Sequence, residues 1–168
     1  MTPLSCLSAF FLLLVMPAAS LAASLPQPSG APILAVSGTI ANTNGGDVAR
    51  FDRGMLESIG TVELVTQTPW YDHVVTFEGV PISDLLDVVG AQGSEVLVTA
   101  LDDYRSVIPM SDFESYRVVL ALRRDGELMP VRDKGPLFIV YPFDSDPVLQ
   151  SERYYMRSVW QVKELTVR

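Results

Sequence analysis

The stretch that decides the fold, residues 125–142, reads Asp-Gly-Glu-Leu-Met-Pro-Val-Arg-Asp-Lys-Gly-Pro-Leu-Phe-Ile-Val-Tyr-Pro. Asp125-Gly126 follows an apolar run at 118–122, and a two-residue turn containing Gly after such a run predicts a hairpin. Residues 137–141 are apolar and are closed by Pro142, which predicts a second strand, buried on both faces. Two core strands are therefore expected here.

The loop between these strands carries Arg132 and Lys134. It ends at Gly135-Pro136, so both cationic side chains are expected to lie beside a rigid strand. A solvated hairpin loop is the alternative interpretation, because loops are mostly exposed.

Outside this stretch, short apolar runs alternate with turn residues, which predicts an α+β domain of mostly β strands with a few short helices. A helix is expected from the cap at Asp52 to Gly60, another from Ser83 to Gly90, and a single turn with a capping box at Ser111 and Glu114. The face pattern near the end of the chain predicts burial on both sides or a bulge near Lys163. The predicted strands outside the hairpin are 33–40, 62–66, 75–77, 96–101, 104–110 and 159–167.

Residues 1–23 contain no Asp, Glu, Lys or Arg and carry an apolar run followed by small residues. This pattern predicts a cleaved signal peptide and a periplasmic protein. Residues 24–32 are rich in Pro and small residues, which predicts a flexible lead-in. Residues 33–168 are then expected to form a single domain.

The charge balance argues against two classes of partner. Twenty acidic and 12 basic residues give a net charge of -8, which disfavours nucleic acid and anionic membrane surfaces. No direct membrane anchoring is expected, because the apolar run near the start is too short to span a bilayer. The single cysteine, Cys6, lies in the predicted signal peptide, so the mature protein is expected to have no thiolate.

Five segments share their residue pattern with one family. They are Thr-Phe-Glu-Gly-Val-Pro-Ile-Ser-Asp-Leu-Leu at 76–86, Ala-Leu-Asp-Asp-Tyr at 100–104, Ser-Asp at 111–112, Ala-Leu-Arg-Arg-Asp-Gly-Glu-Leu-Met-Pro-Val-Arg-Asp-Lys-Gly-Pro-Leu at 121–137 and Arg-Ser-Val-Trp-Gln-Val-Lys-Glu-Leu at 157–165. Together they resemble the molybdopterin-binding oxidoreductase domain of the sulfite-oxidase family. The resemblance implies a sulfite-oxidase-like fold with a pterin-sized pocket, closed by the last Trp-containing strand.

One departure from the family pattern concerns the metal. Family enzymes hold molybdenum through a cysteine thiolate on the loop after the strand that corresponds to 62–66, where this chain has Gln-Thr-Pro-Trp at 67–70. Hydroxyl and carboxamide oxygens are poor substitutes for a thiolate. Val159 also stands where the enzymes tend to carry Lys before the Trp. Molybdenum is therefore not expected, and the protein is expected not to be an enzyme.

Small secreted members that lack the cysteine and carry Thr-Pro-Trp with Arg-Asp-Lys-Gly-Pro resemble periplasmic pterin-binding regulators. The resemblance implies a pterin as ligand, and as partner the periplasmic sensory domain of a membrane-bound cyclic-di-GMP signalling enzyme. Two alternatives stay open: an oxidoreductase subunit that retains a molybdenum cofactor, and a ligand-free protein-interaction module with the same fold.

A pterin presents a flat aromatic face and an edge of N–H donors, which suit aromatic side chains and a carboxylate respectively. Trp70 is expected at the ring face, with an ordinary core tryptophan as the alternative. Asp102 or Asp103, just before Tyr104, is expected to accept hydrogen bonds from these N–H donors. The alternative is that each is an ordinary carboxylate of a β-turn. The remaining candidate ligand-binding residues are Thr68, Arg132, Lys134, Tyr141 and Arg157, of which Arg157 has a simple ion pair as its alternative role.

Two other chemistries are disfavoured. A Ser-His-Asp hydrolase would depend on His73, the single histidine, and its neighbour Asp72 is expected to point the opposite way on an extended segment. Asp144 and Asp146 offer oxygens to Ca²⁺ but lack EF-hand spacing, so solvated loop carboxylates are the favoured interpretation.

Overall fold

The computed structural model of the protein describes residues 24–168, so the predicted signal peptide lies outside the described residues. Within this range the chain folds into two β-sheets and four short α-helices, which confirms the α+β prediction. None of the helices in residues 24–168 has the length and apolar character needed to cross a membrane. The helices are α1 (Arg53–Ile59), α2 (Ile82–Val88), α3 (Met110–Ser115) and α4 (Glu152–Arg157).

The first sheet joins the two ends of the domain. Its strands are β1 (Leu34–Gly38), β2 (Ala49–Phe51), β5 (Glu95–Ala100), β6 (Arg105–Pro109) and β10 (Val162–Val167), in the spatial order β2-β1-β10-β5-β6. The first and last strands of the chain, β1 and β10, pair in parallel, and the other neighbours are antiparallel. The register of β10 against β5 shifts between Val162 and Glu164, so the bulge predicted near Lys163 is confirmed.

The second sheet is antiparallel and contains the hairpin predicted from the sequence. Its order is β3-β4-β7-β8, and β9 pairs with β7 outside this path. The strands are β3 (Val62–Thr66), β4 (Val75–Pro81), β7 (Val119–Arg124), β8 (Glu127–Leu128) and β9 (Phe138–Val140).

The turn between β7 and β8 has the backbone that its residues favour. Asp125 and Gly126 have φ angles of 49° and 81°, in the left-handed region that two-residue hairpin turns require. The Asp125 carboxylate also accepts a hydrogen bond of 3.0 Å from the backbone N–H of Thr76. This contact attaches the turn to β4, and the hairpin prediction is confirmed.

The core lies around β7 and β9. The predicted burial of these strands on both faces is confirmed, because Leu120, Ala121, Phe138 and Ile139 are all fully buried. Continuous apolar runs of this kind are typical of strands covered on both sides. The first helix also agrees with its sequence signals: the Asp52 carboxylate caps α1 by accepting from the Met55 N–H at 2.8 Å, and the helix ends before Gly60.

One local prediction differs from the structure. Helix α3 begins at Met110, so Ser111 lies inside its first turn and no side chain caps it; the predicted capping box is wrong.

Residues 24–32, predicted as a flexible lead-in, make hydrogen bonds to the domain. The Leu25 N–H donates to the carbonyl of Thr43, and the Gly30 N–H donates to the Asp52 carboxylate at 2.7 Å. Composition missed these contacts because their acceptors lie about 20 residues further along the chain.

The packing of β4 on β7 generates a stability prediction. A Cβ atom on Gly79 would lie 2.1 Å from the carbonyl oxygen of Leu120, whereas one on Gly46 would meet nothing within 4 Å. We expect Gly79→Ala to lower the free energy of unfolding by about 2 kcal/mol or more, because the strands must separate. Gly46→Ala, the control, has a φ of +64° and should cost about 1–2 kcal/mol. Urea denaturation of both variants measures this, and a larger loss in Gly46→Ala would contradict it.

Candidate functional site

An apolar cavity opens where the end of β5, helix α4 and the segment before β10 meet. Its volume is about 340 Å³, which lies in the lower part of the range typical of small-molecule sites. Ala100 and Val159, both buried, contribute small apolar side chains. Four aromatic side chains make up much of the lining: Trp70, Tyr104, Tyr155 and Trp160.

Trp70 reaches the cavity from the loop after β3. The Asp144 carboxylate fastens this loop by accepting from the Gln67 N–H at 2.7 Å and from the Thr66 hydroxyl at 3.3 Å. The Gln67 carboxamide donates to the carbonyl of Tyr71 at 2.9 Å, which closes the loop on itself. The backbone on both sides of Trp70 is therefore anchored.

The Trp70 indole lies at the centre of an aromatic cluster. Its ring centroid is 5.5 Å from that of Phe138 and 5.9 Å from that of Phe143, two fully buried residues. It is also 6.0 Å from Tyr155 and 5.8 Å from Trp160, which line the cavity. All four contacts are edge-to-face, the arrangement that ring quadrupoles favour. The two interpretations of Trp70 hold together, since the indole packs on the core and also forms a wall of the cavity.

The structure separates the two candidate carboxylates. Asp102 lines the cavity, and its carboxylate accepts from the Tyr104 N–H at 3.0 Å. Asp103 does not line the cavity: its exposed carboxylate pairs with the Lys163 ammonium at 2.7 Å, which holds the pKa of the Asp103 carboxyl below its usual value. Of the two candidate carboxylates, the cavity lining therefore includes Asp102 alone. Asp103 has a left-handed φ of 66°, which changes the direction of the chain between the two aspartates.

Tyr104 is held across the cavity by a contact to helix α4. Its hydroxyl donates to the carbonyl of Met156 at 3.2 Å, and both residues line the cavity. Both side chains are exposed, so the lining continues onto the surface.

Tyr141 and Arg157, both predicted as ligand contacts, do not line the cavity. The buried Tyr141 hydroxyl donates to the Asp112 carboxylate at 2.7 Å, and the Arg157 guanidinium donates to the same oxygen at 2.8 Å. Burial, followed by the contact with Asp112, raises the pKa of Tyr141 above its ordinary value. The three residues connect β9, α3 and α4, and the alternative ion-pair role of Arg157 is the one observed.

The other three candidates also lie outside the cavity lining. Thr68 is buried and its hydroxyl accepts from the Trp70 N–H at 3.4 Å, so it positions the loop. The Lys134 ammonium lies 5.5 Å from the centre of the Trp160 ring and 4.8 Å from that of Tyr71, which are cation–π distances. Arg132 lines a separate, polar depression beside the β7–β8 turn.

Sequence reasoning missed several lining residues. Tyr155 and Met156 come from α4, before the segment 157–165 on which the resemblance rests, and Ser158 lies in that segment but was not a candidate. The available signal was the pair Tyr154-Tyr155 close to Trp160. Tyr154 is buried and Tyr155 is only half-buried, so α4 presents one aromatic side chain to the core and another to the cavity.

The residues present do not fit a molybdenum ion held by a thiolate. Residues 24–168 contain no cysteine and no group of three or more His, Cys, Asp or Glu side chains that could hold a metal ion. In the loop after β3, the Thr68 hydroxyl and the Gln67 carboxamide both make hydrogen bonds within the loop. Oxygen and amide donors of this kind are also poor ligands for a site that favours soft sulfur.

The expectation that Asp72 and His73 point apart is wrong. The His73 Nδ1 lies 3.0 Å from the Asp72 carboxylate, because the segment bends there. Hydrogen bonding to Asp72 raises the pKa of His73, and the second carboxylate near its ring is Asp125 at 3.7 Å. Both contacts described for His73 are thus acidic and exposed, and neither supplies the nucleophile that a hydrolase needs.

Comparison with known proteins places the chain in a family. The family described as oxidoreductase molybdopterin binding domain matches residues 52–144, which is more than half of the 168 residues. The chain therefore belongs to this family, as the sequence resemblance predicts. A search of the curated proteins found no match.

The buried contact between Tyr141 and Asp112 generates a second prediction. Tyr141→Phe keeps the ring but removes a hydrogen bond to a charged acceptor, so we expect the free energy of unfolding to fall by about 1.5–3 kcal/mol. Tyr104→Phe, the control, removes a hydroxyl from an exposed side chain and should cost less than about 1 kcal/mol. Urea denaturation measures both, and equal losses would show that the Tyr141 hydroxyl is not a structural contact of this strength.

Proposed function

We propose that this member of the family is a non-catalytic periplasmic protein that binds a pterin and regulates a membrane-bound cyclic-di-GMP signalling enzyme through that enzyme's sensory domain. The observation that carries the proposal is the cavity, which combines four aromatic side chains with the carboxylate of Asp102. This is the combination that a flat ring with an edge of N–H donors requires.

The cavity suits binding better than chemistry. Apart from Asp102, its polar side-chain groups are the indole N–H groups of Trp70 and Trp160 and the hydroxyls of Tyr104, Tyr155 and Ser158. The Tyr104 and Ser158 hydroxyls each donate to a backbone carbonyl. Ser158 donates to Tyr154 at 2.9 Å and is buried. No lining side chain has a base beside a nucleophile, which is the arrangement that covalent catalysis needs. These features support the non-catalytic part of the proposal.

A second candidate is an oxidoreductase that carries molybdenum, and family membership favours it. The donor set around Thr68 opposes it, because no thiolate is available in residues 24–168. Elemental analysis of protein purified from its native cells distinguishes the two candidates. Stoichiometric molybdenum would favour the oxidoreductase over the regulator. The absence of molybdenum together with bound pterin would support the regulator.

The regulatory and periplasmic parts of the proposal rest on the resemblance described above. Cell fractionation tests the location directly. For regulation, the cellular cyclic-di-GMP level in a strain lacking the gene is compared with that in strains complemented by the wild-type chain or by Trp160→Ala. We expect the wild-type chain to restore the cyclic-di-GMP level and the variant to fail. Restoration by both would show that regulation does not depend on the cavity.

The binding prediction is that the protein, purified from cells expressing the full chain, binds a reduced or oxidised pterin without added metal. We expect a dissociation constant near micromolar, about 8 kcal/mol of binding free energy. Isothermal titration calorimetry measures it, and quenching of tryptophan fluorescence gives an independent signal, because Trp70 and Trp160 both line the cavity. The absence of heat and quenching with every pterin would remove the proposal.

The cavity wall generates a further prediction. Trp160→Ala removes an aromatic face from the cavity, and stacking of this kind contributes about 0.5–1.5 kcal/mol beyond buried area, so we expect pterin affinity to fall about tenfold or more. Leu128→Ala is the control, because Leu128 is 43% exposed, similar to Trp160 at 39%, and does not line the cavity. Titration of both variants beside a thermal melt measures the effect. Equal affinity in the two variants would place the ligand elsewhere.

A further inference from the structure

The charged groups of the cavity have one sign. Among the residues that line it, the single ionisable side chain with a charge at neutral pH is Asp102, and no Lys, Arg or His is present. The whole chain carries a net charge of -8, which adds a negative background field. An anionic group entering the cavity would therefore meet a carboxylate and no cation.

The cations near the cavity are already engaged with carboxylates. Lys163 pairs with Asp103 at 2.7 Å, and Arg157 pairs with Asp112 at 2.8 Å. Lys134 lies against the Tyr71 and Trp160 rings and 4.0 Å from Asp133. Binding a phosphate with any of these side chains would first require breaking its present contacts.

Two further cations are close in sequence to lining residues: Arg105 follows Tyr104, and Arg153 lies two residues before Tyr155. Neither lines the cavity. The charge of Arg105 acts on Asp103, whose pKa it helps to lower. Tyr104 thus lines the cavity while Arg105 does not.

We infer that the cavity accepts the unphosphorylated form of a pterin-like heterocycle and rejects its phosphate ester, with Asp102 as the specificity-determining residue. The inference rests on the proposed function and adds the charge class of the ligand. A phosphate monoester carries about 1.5–2 negative charges at neutral pH.

The size of the effect follows from Coulomb's law. Two unit charges 8 Å apart in water repel by about 0.5 kcal/mol, and the value for water applies because Asp102 is exposed. For a doubly charged phosphate group this corresponds to about fivefold, and together with the missing contacts for the phosphate oxygens we expect about tenfold weaker binding of the ester.

The test compares neopterin with neopterin monophosphate, using protein purified from cells expressing the full chain. Calorimetric titration should give about tenfold tighter binding of neopterin in the wild type, and the ratio should narrow at 1 M salt, where the Debye length falls to about 3 Å. In Asp102→Asn the ratio should fall several-fold. Asp84→Asn is the control: it removes an exposed carboxylate on α2 that does not line the cavity and that accepts from the Ser83 hydroxyl at 3.0 Å, so it frees no cation and should leave the ratio unchanged.

The outcomes distinguish this inference from the proposed function. Binding of neither compound by the wild type overturns the pterin-binding proposal itself. Equal or tighter binding of the monophosphate keeps pterin binding and overturns the charge selection. A wild-type ratio near tenfold that persists in Asp102→Asn and at 1 M salt overturns the electrostatic role of Asp102 and assigns the rejection to cavity shape.

Discussion

The packing of Trp70 is the interaction on which the cavity depends. Its indole contacts Phe138 and Phe143 on one side and Tyr155 and Trp160 on the other, all edge-to-face. These rings come from β9, the segment after it, α4 and the segment before β10, so one side chain connects these four parts of the chain. Without the indole these elements would have no common contact, and the cavity would lose a wall together with part of the core.

A second constraint is that the ionic contacts near the site are arranged in pairs. Two flanking cations have close acidic partners, and the pairs Lys163 with Asp103 and Arg157 with Asp112 attach neighbouring elements to one another. Exposed pairs contribute little stability, but pairing leaves the cations poorly available to an anion. Asp102 is the exception, since its carboxylate accepts only a backbone N–H. The cavity lining is thus negative because its one carboxylate, Asp102, has no cation partner among the described residues.

Sequence patterns predicted the parts of the fold that depend on neighbouring residues. The turn at Asp125-Gly126 and the cap at Asp52 both involve contacts within a few residues, and both are confirmed. The site was predicted less well because its contacts are distant along the chain. The Asp103 carboxylate differs from that of Asp102 because it pairs with Lys163, 60 residues away. The Tyr141 hydroxyl does not reach the cavity because it donates to Asp112, 29 residues away. Residue type alone does not carry this information.

In the proposed function, Trp70 links ligand binding to folding because it belongs both to the core and to the cavity wall. A ligand that binds only the folded state raises the free energy of unfolding by an amount set by its concentration relative to its dissociation constant. Because Trp70 packs on the buried Phe138 and Phe143 as well as lining the cavity, loosening of the core would move a wall of the site. Occupancy and core packing should therefore support each other. Trp160 is 39% exposed and makes fewer core contacts than Trp70. A substitution at Trp160 therefore separates ligand recognition from folding better than one at Trp70.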